Sequence, residues 1–405
     1  MRRTIVHIFA GISCLTTIAA CRGDAPTTDP SAVDSALLAT AGDPASIARG
    51  QTIFRFDTFG DETFWTDSLA LHEVIRTSVT PRAALGLGLK VDVTVLPASV
   101  RAALGQLLDD PAATVALLKL DAVVGVKGQV DASNTLVRVG ITCALCHSTV
   151  DDSFAPGIGQ RLDGWPNRDL DVGKIVTLST SPLLTPQARS VYQGWGPGMY
   201  DPRFNLDGIN LPVVMPPAAG LRKVAREIYT GDGPVSYWNL YVAVTQMHGH
   251  GQFVDPRIGV SKNNPPDLVS SKLDDLRAYQ FSLEIPPPAP GTFDAAAAGR
   301  GHAVFNTAGC AKCHMPPSFT DVNKGILHEP AAVGQNPAYA LRSATKRYRT
   351  TPLRGLWRPP QLDGPYFHDG HAKTLADVVD HYVKLFSLTL TAQQKADLIE
   401  YLKTL

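Results

Sequence analysis

The sequence lacks a net charge, a basic run and the residue patterns of several common enzyme classes. Among its 405 residues, Lys and Arg number 37 and Asp and Glu also number 37, so the formal net charge is zero. Without a run of Lys and Arg, the chain has no electrostatic surface for nucleic acid, which we exclude as a partner. We find no Ser/His/Asp arrangement, phosphate-binding loop or zinc motif. The length suffices for two domains of ordinary size.

One apolar segment stands at the N-terminus. Residues 1–20 begin with Arg2-Arg3, continue through apolar residues and end before Cys21 with the small residues Ala19-Ala20. This pattern is typical of an export signal and is too short for a membrane-spanning helix. The Ile-Ala-Ala-Cys sequence resembles the lipobox of bacterial lipoproteins, in which the cysteine carries the lipid.

These features predict a periplasmic protein that is attached to a membrane, expected to be the outer membrane, only through lipid on Cys21. Residues 1–20 are then the signal peptide, and residues 21–44, rich in Ala, Thr, Asp and Pro, are a flexible tether. The alternative is a soluble exported protein whose signal is cleaved.

Cysteine is scarce, and its placement is informative. Of six cysteines, Cys14 lies in the predicted signal and Cys21 takes the predicted lipid, which leaves four. All four belong to two motifs, Cys143-Ala-Leu-Cys146-His147 and Cys310-Ala-Lys-Cys313-His314. Spare thiols in an exported protein would be expected to form disulfides, and here none remain.

The Cys-x-x-Cys-His spacing suits covalent attachment of haem. Two cysteines on one helical turn can each form a thioether with one porphyrin vinyl group, and the following histidine then lies beneath the iron. The alternatives are a chance match or half of a thiol-redox site. We predict two haem c groups, held by Cys143, Cys146, Cys310 and Cys313 and ligated by His147 and His314.

An internal similarity suggests a repeated unit. Residues 49–54 and 300–305 share the pattern Arg-Gly-x-x-aliphatic-Phe, which places Gly and Phe on one helical face. Small c-type cytochrome domains are similar, because their N-terminal helix carries Gly-x-x-x-Phe or Tyr and crosses a C-terminal helix. Cys310 follows Phe305 by five residues, whereas Cys143 follows Phe54 by 89. A true first repeat therefore requires a large insertion, and a chance match is the alternative.

The predicted fold is mainly α, with two c-type cytochrome domains at residues 45–283 and 294–405. Inside the insertion we predict helices at 68–77 and 113–124, followed by a short β-hairpin within 125–140 that turns at 131–134. The Pro-rich residues 284–293 cannot continue a helix or a central strand and mark the boundary.

The second predicted domain ends in a helix. Thr391 and Gln394, three residues apart, form a capping box at its start. The helix is expected to bury Leu398, Ile399, Leu402 and Leu405.

Three motifs in the C-terminal part carry a family resemblance. They are Tyr348-Arg-Thr-Thr-Pro352-Leu353-Arg354-Gly-Leu, Gly364-Pro-Tyr-Phe-His368-Asp369-Gly370 and Thr374-Leu375. With the closing helix, they resemble the bacterial di-haem cytochrome c peroxidase and MauG family. The match covers residues 294–405 closely, and the first half only through its haem motif, export signal and order of parts.

The resemblance implies a distal ligand for the C-terminal haem. In that family the helix after His-Asp-Gly supplies it, a Met in the peroxidases and a Tyr in MauG, and the matching position here is Tyr382. His381 is the competitor, which would give bis-histidine coordination. Helical spacing favours Tyr382, since it shares a predicted inward face with Leu375, Val379 and Phe386, while His381 lies beside that face. His368 is expected to bind a propionate or to fix the turn.

The resemblance departs from the peroxidases after the first haem motif. Their Trp-Asp-Gly-Arg and Pro-x-Glu-Met stretches, the latter supplying the acid–base carboxylate, are absent, so peroxidase activity does not simply carry over. His248, flanked by glycine on a loop, is the candidate distal group of the first haem, against a solvated loop. Arg168 is a candidate donor to bound oxygen species or a propionate. Trp238 and Trp165 are candidate relays between haems, or core residues.

Three functions remain open. The first is a redox protein in which electrons pass through the haem at His314 and the haem at His147 reduces peroxide or another small oxidant. The second is a pure electron carrier, and the third is a dioxygen-binding oxygenase similar to the di-haem rubber oxygenases. The expected protein partner is an electron donor or acceptor such as a small cytochrome or a cupredoxin.

Overall fold

A computed structural model describes residues 42–358 and 364–405. The predicted signal peptide, Cys21 and nearly all of the predicted tether lie outside these ranges. The described residues form a mainly helical protein with small two-stranded sheets. None of the helices in the described ranges has the length and apolar character needed to span a bilayer.

The first part of the chain, up to the first haem motif, contains helices and a hairpin. The elements are α1 Pro44–Phe56, a π-helical turn Thr63–Ser68, α2 Leu71–Ser78, α3 Pro81–Gly86, β1 Val91–Asp92, α4 Ala98–Ala103, α5 Pro111–Lys119, β2 Val126–Val130 and β3 Leu136–Ile141.

The next part carries the first haem motif and ends at the Pro-rich segment. Its elements are α6 Ala144–His147, β4 Ser148–Val150, β5 Ile158–Gly159, β6 Arg161–Asp163, α7 Val172–Thr177, α8 Pro186–Gln193, β7 Met199–Tyr200, α9 Phe204–Asp207, β8 Val213–Val214, α10 Val235–Tyr241, a π-helical turn Val242–Gln246, β9 Gly251–Asp255, β10 Val260–Asn264 and α11 Leu273–Ser282.

The C-terminal part follows the Pro-rich residues 284–293, which form neither helix nor strand. Its helices are α12 Ala295–Thr307, α13 Pro337–Leu341, α14 Leu375–Leu385 and α15 Ala392–Leu402. Short 3-10 turns Cys310–Lys312, Val322–Lys324 and Pro330–Val333 lie between α12 and α13.

Helices α1 and α11 cross at a glycine. A Cβ atom on Gly50 would lie 1.9 Å from the Asp275 carbonyl oxygen, so only glycine permits this approach. Arg49 donates two hydrogen bonds to the Asp275 carboxylate, at 2.6 and 2.9 Å. Phe54 meets Tyr279 edge-on with ring centroids 5.4 Å apart. The first copy of the sequence repeat therefore forms a helix crossing.

Helices α12 and α15 cross in the same way. A Cβ on Gly301 would lie 1.9 Å from the Asp397 carbonyl oxygen, and Arg300 donates two hydrogen bonds to the Asp397 carboxylate, at 2.8 and 2.7 Å. Phe305 meets Tyr401 edge-on at 5.2 Å. The two crossings use the same residue types in the same order.

Helix α15 begins as predicted. The Thr391 hydroxyl accepts from the Gln394 backbone N–H, and the Gln394 side chain accepts from the Thr391 N–H. Leu398 and Leu402 are buried, and Ile399 and Leu405 pack against the same cluster partly buried.

The predicted helices of the first part have shifted ends. The first runs over Leu71–Ser78 instead of 68–77, because Ala70 adopts a left-handed φ of 52° that separates it from the preceding π turn. The second runs over Pro111–Lys119 instead of 113–124, because Asp121 has a φ of 54° and cannot continue a right-handed helix. The antiparallel hairpin of β2 and β3 lies at the predicted position.

Candidate haem sites

The first haem motif is held directly against the β2–β3 hairpin. Gly125 enters the hairpin with a φ of 80°, and a Cβ there would lie 2.1 Å from backbone atoms of Leu145. Its carbonyl oxygen accepts from the Thr142 N–H at 2.9 Å. The hairpin thus fixes the backbone immediately before and inside the motif.

The two thiols of this motif do not have the character of a reactive pair. Burial raises the pKa of both Cys143 and Cys146 to about 12. Thiol-redox motifs depend on a lowered pKa, which keeps a thiolate available. The alternative interpretation of the motif as a thiol-redox site therefore has no support in this environment.

His147 is oriented for metal binding. Its Nδ1 lies 3.1 Å from the Pro216 carbonyl oxygen, which can only accept, so Nδ1 carries the proton and Nε2 keeps a lone pair. A backbone carbonyl that fixes the tautomer is the usual outer-shell partner of a metal-ligating histidine. Burial lowers the pKa of His147 to about 4, which keeps the ring neutral.

A cavity opens beside this motif. Its walls are largely aliphatic and aromatic side chains, and they also include Cys143, Cys146, His147, Glu227, Trp238 and His248. Two thiols one helical turn apart, a neutral imidazole and an apolar cavity are what a covalently attached porphyrin requires. The residues present therefore fit haem c.

His248 lines the same cavity as His147, as its predicted distal role requires. Its backbone has a φ of 66°, uncommon for a residue other than glycine, and its ring stacks on Phe64 with centroids 3.7 Å apart. Burial lowers the pKa of His248 to about 4. In the structure this side chain is a partly buried ring that lines the cavity, in contrast to the alternative of a solvated loop.

Trp238 and Trp165 are both buried. Trp238 belongs to a hydrophobic cluster and also lines the cavity, and its Nε1 donates to the Glu227 carbonyl oxygen at 3.1 Å. The ring of Trp165 lies 3.7 Å from the Arg358 guanidinium carbon. Arg168 lies near His147. Burial is the main cause of the lowered pKa of His147, and the positive charge of Arg168 lowers it further.

The second haem motif repeats the histidine arrangement of the first. Cys310 and Cys313 are partly buried on a 3-10 turn that follows α12. The Nδ1 atom of His314 lies 3.1 Å from the Phe319 carbonyl oxygen and therefore carries a proton, and the ring also interacts with the Thr351 carbonyl. Burial lowers the pKa of His314. These residues also fit haem c.

The two candidates for the distal position at this site both lie on helix α14 but have different surroundings. Burial raises the pKa of Tyr382 to about 12, and Cys313 and Cys310 contribute, so the phenol lies close to the motif. The Nε2 of His381 donates to the Val333 carbonyl oxygen at 3.1 Å and is directed toward that turn. The predicted inward face is wrong at Phe386, which is 53% exposed because the helix has already ended at Leu385.

His368 is bound on both ring nitrogens. Its Nε2 lies 3.1 Å from the Tyr348 hydroxyl and its Nδ1 lies 3.1 Å from the Gln335 amide oxygen. Its backbone carbonyl accepts from the Val214 N–H at 2.8 Å. His368 therefore fixes the turn of its motif against the first part of the chain.

Glu227 is a site residue that no sequence pattern indicated. Its side chain is 5% exposed, lines the first cavity and pairs with Arg349 at 3.2 Å. It stands outside any motif and far from Cys146 in sequence, so only tertiary packing brings it to the cavity. A carboxyl group is therefore present beside the first site although the family's Pro-x-Glu-Met stretch is absent.

Comparison with known proteins places the clearest similarity in the C-terminal part. The family model for cytochrome c matches residues 298–405. The methylamine utilization protein MauG of Methylorubrum extorquens is 32% identical over 133 residues, covering 27% of this chain and 34% of that protein. MauG of Methylophilus methylotrophus is 30% identical over 125 residues, covering 27% of this chain and 36% of that protein.

The chain thus spans about a third of the length of these curated relatives. A structure of Kuenenia stuttgartiensis hydrazine synthase pressurized with xenon matches 56% of this chain and 81% of its own length, with 20% sequence identity and a TM-score of 0.36. The chain therefore contains a cytochrome c domain at residues 298–405, and its resemblance to the bacterial di-haem cytochrome c peroxidase and MauG family is confirmed.

Proposed function

We propose that the chain is an exported di-haem c-type cytochrome, a redox protein in which electrons pass through a C-terminal haem and a small oxidant such as peroxide is reduced at an N-terminal haem. Haem iron supplies one-electron chemistry and, where its sixth position is open, a binding site for small oxidants. Residues 45–283 and 294–405 are the two proposed haem c domains, with residues 284–293 as the linker.

The correspondence of the two helix crossings carries this proposal. Each crossing combines glycine at the contact, an Arg–Asp pair and a Phe–Tyr contact, and each accompanies a Cys-x-x-Cys-His motif whose histidine has Nδ1 bound to a backbone carbonyl. A repeated scaffold with a repeated ligand arrangement supports a repeated cofactor.

His248 supports an N-terminal site that can open and close. It lines the cavity that contains His147, and glycine flanks it at 249. Because its ring stays neutral at physiological pH, His248 can offer a lone pair toward the cavity or remain stacked on Phe64. The second candidate function, a pure electron carrier, follows if His248 closes the site permanently.

At the C-terminal site we propose Tyr382 as the distal group. A tyrosine oxygen favours the ferric state and lowers the reduction potential, whereas methionine would raise it. The C-terminal site would then store oxidising equivalents or pass electrons without binding substrate.

The first experiment counts haems and then opens the site. A pyridine haemochrome assay on protein matured with haem is expected to give two haem c groups per chain, and one or none would refute the di-haem proposal. Low-temperature electron paramagnetic resonance then compares the fully ferric and the one-electron-reduced protein. High-spin ferric iron in either state supports an enzyme, to be tested with peroxide and with dioxygen, and exclusively low-spin iron in both supports the carrier.

Two glycine substitutions identify the group responsible. His248→Gly removes the ring at a φ of 66° that glycine tolerates well, and is expected to produce a high-spin signal at the N-terminal haem. His250→Gly, two residues further on, is the matched control and is expected to leave the spectrum unchanged. Equal spectra for the two variants would remove His248 from the site.

We further propose periplasmic localisation with a lipid on Cys21, and exchange of electrons with a small cytochrome or a cupredoxin. The support is the export signal and the lipobox-like sequence. Cys21→Ser is expected to move the protein from the membrane fraction to the soluble periplasmic fraction, whereas Cys14→Ser is the control. Membrane attachment that survives Cys21→Ser would refute the anchor.

A further inference from the structure

A buried group of charges lies beside the first cavity, and we call Glu227, Arg349 and Arg354 the carboxylate cluster. Glu227 pairs with Arg349 at 3.2 Å, and the two side chains are 5% and 7% exposed. Burial lowers the pKa of Arg354 to about 10. The negative charge of Glu227 opposes this shift, and the positive charge of Arg349 adds to it. Arg354 is therefore a close neighbour of both.

Among the residues that the structure describes, the cluster lacks some hydrogen-bond partners. Within residues 42–358 and 364–405, the buried atoms Glu227 Oε1 and Arg349 Nη1 have no hydrogen-bond partner. Leaving a buried polar atom unpaired costs about 1–3 kcal/mol, and more for a charged group. The charges of Arg349 and Arg354 also repel each other, so an anion beside both would be favourable.

An additional carboxylate would complete it. Guanidinium groups bind carboxylates with paired, charge-assisted hydrogen bonds, and one such anion would satisfy Arg349 Nη1 and offset the repulsion between the two arginines. Burial raises the pKa of Glu227, so a proton on Oε1 would allow that atom to donate to the same anion. The missing partner is thus an anionic acceptor.

The position of the cluster indicates which carboxylate. Glu227 lines the cavity whose walls also contain Cys143, Cys146 and His147. Apart from its iron, haem brings to such a cavity only one kind of charged group, its propionates. We propose that Arg349 and Arg354, together with Glu227, bind a propionate of the haem attached at Cys143 and Cys146. This inference rests on the proposed N-terminal haem.

The proposal has a redox consequence. A buried cation beside haem disfavours the ferric state, which is the more positive of the two, so removing the cation should lower the midpoint potential of that haem. Both arginines belong to the C-terminal motif 348–356, so the effect crosses from one part of the chain to the haem of the other.

The test uses haem whose propionate carboxylates carry carbon-13, introduced through labelled 5-aminolevulinate during maturation. Infrared difference spectra between oxidised and reduced protein then separate propionate bands from the Glu227 band. Arg349→Gln is expected to shift a labelled carboxylate band and to lower the midpoint potential of the N-terminal haem alone. Arg349→Lys, which keeps the charge but not the paired donors, is expected to shift the band while largely restoring the potential.

Arg347→Gln is the matched control, because Arg347 is 50% exposed and pairs with Glu329 at the surface. It is expected to change neither the labelled band nor the potential. Circular dichroism and the haemochrome assay confirm that each variant is folded and fully loaded.

Three results would overturn the inference: an unshifted labelled band in Arg349→Gln, a shift only of unlabelled carboxyl bands, or a potential change at the C-terminal haem instead. A protein that carries no haem at Cys143 and Cys146 would refute the proposed function itself. The haem count therefore distinguishes the two failures.

Discussion

The crossing of α12 and α15 makes a quantitative prediction about two neighbouring glycines. Gly301 lies at the contact, where an added Cβ would be 1.9 Å from the Asp397 carbonyl oxygen. Gly299, in the same helix, is exposed and has no neighbour within 4 Å of such a Cβ. The same substitution should therefore have opposite effects at two positions only two residues apart.

The magnitudes follow from the geometry. Alanine in place of an exposed helical glycine stabilises a protein by roughly 0.5–1 kcal/mol, which is the expected gain for Gly299→Ala. At Gly301 the same gain is opposed by a contact that real Cβ atoms do not make, so the helices must separate. Overpacking of this kind costs typically 1–3 kcal/mol, so after subtracting the gain we expect Gly301→Ala to lose about 1 kcal/mol net.

The assay is denaturant unfolding of the haem-loaded protein, followed by far-ultraviolet circular dichroism and by the Soret band. Gly301→Ala should unfold at lower denaturant concentration than wild type, and Gly299→Ala at higher concentration. Equal gains in both variants would mean that the helices do not cross at Gly301. Gly50→Ala extends the test, because an added Cβ would lie equally close, 1.9 Å, to the Asp275 carbonyl oxygen.

Two further predictions concern the C-terminal part. Tyr382→Phe should change the spectrum of the C-terminal haem. His381→Gln should leave that spectrum unchanged, because the His381 ring donates to the Val333 carbonyl oxygen. The reverse result would establish bis-histidine coordination. Burial lowers the pKa of His368 to about 4, so only the unfolded state takes up its proton below pH 6.5 and stability is lost as pH falls from about 6.5 to 4. By linkage this loss reaches roughly 3 kcal/mol, and His368→Gln should flatten the pH profile of unfolding in that window; an unchanged slope would contradict the burial of a neutral ring.

The features that could be predicted from the sequence are those that depend on short, contiguous residue patterns. The haem-binding spacing, the capping box at Thr391 and the β2–β3 hairpin each depend on residues a few positions apart. Helix ends were less predictable, because single residues with left-handed backbone, Ala70 and Asp121, decide them. A hydrophobic pattern continues through such residues, whereas the helix does not.

The sequence contained a second pattern that supports the first repeat. Its N-terminal pattern alone is ambiguous, but each partner helix also carries Asp-Leu-x-x-Tyr, at 275–279 and 397–401. The structure explains the pairing, since the Asp accepts from the Arg and the Tyr meets the Phe. Both halves of the pattern together would have identified the crossing. Glu227 had no such signal, because its partners come from a segment more than a hundred residues away.

The segment that carries the family resemblance, residues 348–356, has contacts in both parts of the chain. Arg349 pairs with Glu227 at the first cavity. The adjacent Thr350 accepts from Thr320 through its carbonyl and lies 3.0 Å from His328 through its hydroxyl, in the loop that follows His314. Neighbouring residues of this segment thus present a charged side chain to the first cavity and polar contacts to the loop after the second Cys-x-x-Cys-His motif. The segment that carries the family resemblance therefore places Arg349 against Glu227 at the first cavity, while the adjacent Thr350 contacts the loop that follows His314.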